Sequence, residues 1–307
     1  MRFFKTGLLL LAIAGLTFTG CQKEKQNDLT PDSSSLQQLS KDENTLQNAS
    51  DEALNDVNQV LSGSGLKSTE LWPCNATIDS TAVINDTITF FITYDGLNCN
   101  QTRFRTGKVE VKKQVGTQWH DAGATVIVKY IDLHITKVAT GKSITLNGTK
   151  TFQNVTGGFI WQLGTQYTSI VHKVWGAVEA TFDDNTTRTW NIARQRTFTG
   201  TVGALVMTIN GFGTSGAHEN LVVWGLNRQE EEFYSQIIEP VVHKELCDWN
   251  PCTGVRVYSI PSDDKQATVT FGYDNNNQLI VNGDCPTKYK VDWQKGSNSG
   301  TVYLFLQ

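Results

Sequence analysis

The chain has 307 residues, 39% of them hydrophobic, with 26 basic and 30 acidic side chains and a formal net charge of −4. That is enough chain for one large domain or two small ones. The acidic balance argues against nucleic acid and acidic lipid headgroups as partners, because phosphate binding is driven by clustered Lys and Arg.

Arg2 and Lys5 open the chain, and Gly7 to Phe18 form an uncharged apolar run. That is the length of a signal-peptide core and too short to span a bilayer. Phe18-Thr19-Gly20-Cys21 then resembles a bacterial lipobox. The resemblance implies cleavage before Cys21, a thioether-linked diacylglycerol on its sulfur and N-acylation of the new terminus. Each buried CH₂ contributes about 0.8 kcal/mol, so one acyl chain holds marginally and two or three hold stably. Removing residues 1–20 takes Arg2 and Lys5 from the basic side chains and leaves 24 against 30 acidic ones, a net of −6. Gln22-Lys23-Glu24 resembles the charged export tags of surface lipoproteins in Bacteroidota. The expected address is the outer membrane, lipid-anchored and exposed at the cell surface, with a periplasm-facing position as the alternative.

Residues 22 to about 45 are rich in Gln, Asn, Asp, Ser and Lys and read as a disordered tether. Leu46, Ala49, Ala53, Leu54, Val57, Val60 and Leu61 recur at helical spacing and predict a short amphipathic helix over about 44–61, stopped by "SGSG". Residues 21–69 therefore form the lipidated terminus, tether and helix. From residue 70 the period changes to two. Ile88, Phe90, Ile92 and Tyr94 alternate with threonines and Phe91, and Ile131, Leu133 and Ile135 alternate with polar residues. Similar runs fall at 143–155, 167–182, 186–199, 201–210, 219–227, 231–244, 254–260, 266–273, 278–282, 287–293 and 301–306. Turns such as "DGLNCN" and "DDNTT" join them. With no crossover helices the sheet must be antiparallel. The expected fold is all-β, a large antiparallel sheet or β-sandwich with many hairpins over 70–307, either one unit or two modules at about 70–245 and 246–307.

Five further cysteines, Cys74, Cys99, Cys247, Cys252 and Cys285, would meet an oxidising compartment, which makes disulfides the default reading. The odd count leaves one thiol over, and none of the spacings makes a zinc site. "TITFFITYDGLNC" and "ATVTFGYDNNNQLIVNGDC" share one design, an alternating strand, an Asp-containing turn and a cysteine, with another cysteine upstream. The design predicts a Cys74–Cys99 bridge and makes Cys285 one member of a second bridge. Its partner could be Cys247 or Cys252; the competing Cys247–Cys252 bridge would close a tight loop containing Pro251 and leave Cys285 alone.

"CNATID", "TITFFITYDGLNC", "RFRTGKVEV", "ITLNGTKTFQNVTG" and "TRTWNIARQRTFTGT" together resemble an uncharacterised β-rich lipoprotein family of Bacteroidota. The resemblance covers most of residues 70–293 and favours Cys247 as the partner of Cys285. It departs near the end, where Cys252 is extra, and it carries no activity over.

Gly211 to Gly216 match G-x-G-x-x-G, but "AHENLVVWG" follows as a strand where a dinucleotide site needs a helix N-terminus, so the motif reads as a glycine-rich hairpin. Ser215, His218 and Glu219 lie close together without a nucleophile elbow. His120, His134, His172 and His243 are scattered without metal-ligand spacing. Asp274 to Gln278 offer oxygens on a turn, as do Asp183, Asp184 and Asn185, but lack the pattern of an EF-hand loop. No cofactor and no metal site is expected. The most suggestive stretch is "RTWNIARQRTF", where Arg188, Trp190, Ile192, Arg194, Arg196 and Phe198 share one strand face. Arg188, Trp190, Arg194 and Arg196 could bind anionic sugars or carboxylates through bidentate hydrogen bonds and stacking. The competing reading places Trp190, Ile192 and Phe198 in the core with the arginines at its rim. The functional expectation is a non-catalytic, lipid-anchored exported protein, structural or binding a glycan or peptide. The alternative is a hydrolase or glycan-processing enzyme whose site is assembled from distant loops.

Overall fold

The computed structural model describes residues 31–62, 73–80, 83–281 and 283–306. Cys21 and the residues before it lie outside this set. One helix, α1 (Pro31–Ser62), precedes fifteen strands. Leu36, Leu39, Leu46, Ala49, Ala53, Leu54 and Val57 of α1 are all buried, at spacings of three and four that make one broad apolar face. The helix starts at Pro31, well before residue 44, inside the stretch that reads as a disordered tether. Residues 31–43 carry too few apolar side chains to show a stripe. Their helix is held by the sheet, which receives Leu36, Leu39, Asp42 and Glu43. Among the described residues no helix is long and apolar enough to cross a membrane.

The strands are β1 (Ala76–Ser80), β2 (Thr87–Leu97), β3 (Arg103–Gln114), β4 (Ala124–Lys137), β5 (Ser143–Asn154), β6 (Ser169–Phe182), β7 (Thr187–Thr199) and β8 (Val206–Gly211). They continue with β9 (Gly213–Ser215), β10 (His218–Leu226), β11 (Glu232–Lys244), β12 (Pro251–Ile260), β13 (Lys265–Tyr273), β14 (Lys288–Lys295) and β15 (Asn298–Phe305). All belong to a single antiparallel sheet that runs in chain order from β1 to β7 and then through β10 to β15. β8 is inserted between the C-terminal part of β7 and β11, while β9 pairs with β10. Of the run expected at 278–282, residues 278–281 form no strand, Leu279 making one bridge to Tyr273 and Ile280 N–H donating to the Gly272 carbonyl, and residue 282 lies outside the described residues.

The helix shares one continuous core with residues from β2 to β15. Its polar side chains contact strands from β2 through β14, so the sheet curls around it as an open channel. Inward-facing glycines permit that curl. Gly148 in β5 and Gly176 in β6 sit at φ 135° and 141° on the concave face. A Cβ on Gly148 would lie 2.7 Å from Val178 Cα, and one on Gly176 would lie 2.8 Å from Lys150 Cα. Each strand thus bends at the point where its neighbour presses closest.

Two disulfides staple the chain outside the strands. Cys74–Cys99, with Cα atoms 5.1 Å apart, ties the approach to β1 to the β2–β3 turn. Cys247–Cys285, at 5.3 Å, ties the β11–β12 connection to the one before β14. Cys252 is the thiol left over among the described cysteines, and it is buried.

Replacing Gly176 with alanine should therefore destabilise the protein by about 3 kcal/mol, because it adds both a left-handed strain and a clash with β5 backbone. Urea unfolding of Gly176→Ala beside the outward control Ala177→Ser checks this. Equal midpoints for the two variants would show that the bend tolerates a side chain.

Candidate functional site

The stretch singled out in the sequence lies on β7, and it alternates except at Ala193, which is buried between Ile192 and Arg194. Arg188, Trp190, Arg194 and Arg196 are all buried on the concave face, with Arg188 and Arg194 1% exposed. The structure thus brings the four together, and what they face is α1. Arg188 Nη2 donates to Glu43 Oε2 at 3.0 Å, and Trp190 Nε1 donates to the same oxygen at 3.1 Å. Arg196 Nη2 donates to Asp51 Oδ1. Arg194 stands between the two carboxylates, with nitrogens 3.8 Å from Glu43 and 3.9 Å from Asp51. The carboxylate and aromatic chemistry expected of an external ligand is met here by the chain's own helix.

The pattern extends along the helix. Arg228 grips Asp42 with two nitrogens at 2.6 and 2.7 Å, while its guanidinium lies 3.4 Å from the centre of the Phe182 ring. Arg103 donates to Glu52 at 2.7 Å. Arg105 and Tyr94 donate to Asp56 at 2.6 and 2.8 Å. Lys150 of β5 donates to Ser50, whose hydroxyl also meets Tyr130 at 3.1 Å, and its ammonium sits 4.2 Å from the centre of the Trp190 ring. Burial, with Arg194 nearby, pushes Lys150 well below its ordinary range. Burial also drives Arg194 down to about 10. Burial raises the Asp51 carboxyl, but Arg196, Arg194 and Lys150 outweigh it and hold the group below its usual range.

Sequence reasoning missed the helix carboxylates. Asp42, Glu43, Asp51, Glu52 and Asp56 recur on α1 among the buried apolar positions. An acidic edge flanking an apolar stripe is the signal that could have matched them to the Arg-rich strands.

The other candidates are placed separately. Gly211 to Gly216 form the end of β8, β9 and the turn into β10, a hairpin in which Ser215 pairs with His218. The His218 ring stacks on Tyr234, with centroids 3.9 Å apart. Asp274 Oδ1 accepts the backbone N–H groups of Asn276 and Gln278, which commits it to the turn. Asp184 likewise accepts from Thr186 and Arg228. His134 is bracketed by Thr145 and Thr136. Among the described residues no group of three or more His, Cys, Asp or Glu is arranged to hold a metal ion.

The convex face carries a feature that the sequence did not reveal. Trp175 of β6, Trp224 of β10 and Tyr234 of β11 all point outward, with Trp224 and Tyr234 directly paired. Phe212, 38% exposed, meets Trp175 edge to face at 6.4 Å between centroids. The Trp224 ring lies on Gly213, where a Cβ would come within 2.9 Å of its Cη2. The result is one aromatic strip crossing four neighbouring strands, rimmed by Lys173, Asn191 and Gln195. Dispersed in sequence, these rings converge only when β6, β7, β10 and β11 align.

No protein-family model, no curated protein and no solved structure matches this chain.

Two buried histidines give the channel a pH dependence. His172 packs among Trp119, Phe152 and Phe198, and burial, then Arg196, pushes it down to about 3. His243 Nδ1 donates to the Trp249 carbonyl, 2.8 Å away, and burial takes the ring down to about 4. Both stay neutral in the fold, whereas the unfolded chain takes up their protons near pH 6.5. Their contribution is complete above that pH and is lost progressively as pH falls towards 3 to 4. At pH 5 each accounts for roughly 2 kcal/mol of lost stability. Urea unfolding at pH 7 and pH 5 should show a smaller loss for His172→Phe than for the wild type, and identical losses would refute this assignment.

Proposed function

We propose that this protein is a lipid-anchored exported lipoprotein, displayed at the outer membrane, whose β domain binds a glycan without catalysing its breakdown. The convex aromatic strip is the observation that carries the reading. Flat indole and phenyl faces suit the C–H faces of sugar rings, and the amides of Asn191 and Gln195 with the Lys173 ammonium can meet the hydroxyls between them. Trp175, Trp224 and Tyr234 are half-buried and Phe212 is exposed, and apolar surface gathered in one place on a folded domain is a candidate interaction site. The concave face, which carries the arginines, is committed to α1, and this favours the outer face as the place for a ligand. Cys21 precedes the helix start at Pro31 by ten residues, so the acylated terminus would hold the domain close to its membrane.

The lipid anchor is tested by feeding cells a radioactive fatty acid. Wild-type protein should incorporate label and Cys21→Ser should not; equal labelling of both would remove the anchor from the proposal.

The glycan reading is tested by calorimetric titration of the domain from residue 22 onward with cello-, xylo-, manno- and chito-hexaose. At least one should bind, and Trp224→Ala and Trp175→Ala should each weaken it about tenfold or more, the loss of a stacking platform. Failure of all four to bind, or binding of peptides in their place, would overturn it.

A further inference from the structure

The centre of the channel is short of negative charge. Arg188, Arg194 and Arg196 of β7, Lys150 of β5 and Arg256 of β12 are all less than a tenth exposed. Glu43 and Asp51 are the carboxylates that answer them. Of the other helix acids whose side chains are described, Asp42 pairs with Arg228 while also reaching Arg188 electrostatically, and Glu52 and Asp56 pair with Arg103 and Arg105. Among the described residues five cations face two carboxylates, a surplus of positive charge that Asp42 offsets in part at Arg188 and that shrinks further if Lys150 gives up its proton. A buried charge without a counter-charge costs several kcal/mol, so a surplus of this size calls for another anion or for bound solvent.

The hydrogen-bond inventory points to the same place. Among the described residues none of the three guanidinium nitrogens of Arg194 has a hydrogen-bond partner, because Asp51 and the likewise unpartnered Glu43 Oε1 stand too far away. Arg256 Nε, Arg196 Nε and Arg188 Nε and Nη1 are also unpartnered, and all of these atoms are buried. Arg194 and Arg256 lie within electrostatic reach of each other and of Glu43. Repelling cations brought together with open donors form the electrostatic outline of an anion site.

We propose that the channel between α1 and the sheet binds a small inorganic anion, a halide or an oxyanion, with Arg194 as its principal donor and Arg256 completing the charge. The ion acts as a structural counter-charge that lets an arginine-rich strand face the core, and its uptake is coupled to closing the sheet over the helix. It neither competes with nor depends on the convex aromatic strip.

The test uses the full domain in two experiments. Thermal unfolding is followed while chloride, bromide or phosphate replaces gluconate at constant ionic strength. A saturable rise in Tm with at least one of them is expected, because a ligand that binds the folded state stabilises it in proportion to its occupancy. Arg256→Met, which keeps Arg194 and the Glu43 contacts, should shift the saturation point to at least tenfold higher concentration. Crystals grown in bromide should show an anomalous peak within hydrogen-bond distance of the Arg194 guanidinium. A Tm that is indifferent to anion identity, together with bromide peaks confined to surface residues or with water at Arg194, would overturn the proposal. That result holds for the wild type even if the variant fails to fold.

Discussion

The pairing of an acidic helix with a basic sheet face is the interaction on which this structure depends. Glu43, 0% exposed, accepts hydrogen bonds from Arg188 and Trp190, so one helical carboxylate fixes two side chains of the same strand. Asp51 holds Arg196, and Asp42, Glu52 and Asp56 carry the pattern along the middle of α1. Removing charges from water is expensive, and their mutual attraction repays that cost only when geometry and further hydrogen bonds are good. The ion pairs therefore specify where the helix sits more than they stabilise it. The driving force is the apolar stripe from Leu36 to Val57.

The shape of the sheet follows from the same requirement. Fifteen strands in one flat sheet would leave an apolar face open to water, and a single helix cannot cover a flat surface of that width. Curling solves both problems, provided the concave side has room where strands crowd. Gly148 and Gly176 make that room on adjacent strands. Cys74–Cys99 acts beside the edge strand β1, where a meander has no further strand to hold it, while Cys247–Cys285 ties two connections at one end of interior strands.

Function divides between the two faces. The concave face has the richer chemistry but spends it on α1 and on its own charge balance. The convex face has simpler chemistry, rings on a bent sheet, and it is the face solvent reaches. Arg188, Trp190, Arg194 and Arg196 were chosen in the sequence for residue types suited to carboxylates and aromatics. The structure supplies a carboxylate partner from within the chain.

Much of this was legible from the chain itself. Period-two alternation marked nearly every strand, because a half-buried sheet must send successive side chains to opposite faces. Cysteine spacing around two strand–turn units anticipated Cys74–Cys99 and left Cys247, Cys252 or no partner for Cys285, with the family resemblance favouring Cys247. Spacing alone could not choose between Cys247 and Cys252, since the two are five residues apart and only the fold, with Cys252 in β12 and Cys247 in the connection before it, puts Cys247 against Cys285. The sequence could not show that residues 31–43 are helical, because that helix is held by contacts with strands up to about 250 residues away and not by local preference. Alternation put the arginines of β7 on one face without telling which face is concave. That depends on the curl of the whole sheet, as does the meeting of Trp175, Phe212, Trp224 and Tyr234. Local period determines which side chains travel together, and only the tertiary structure decides what they meet.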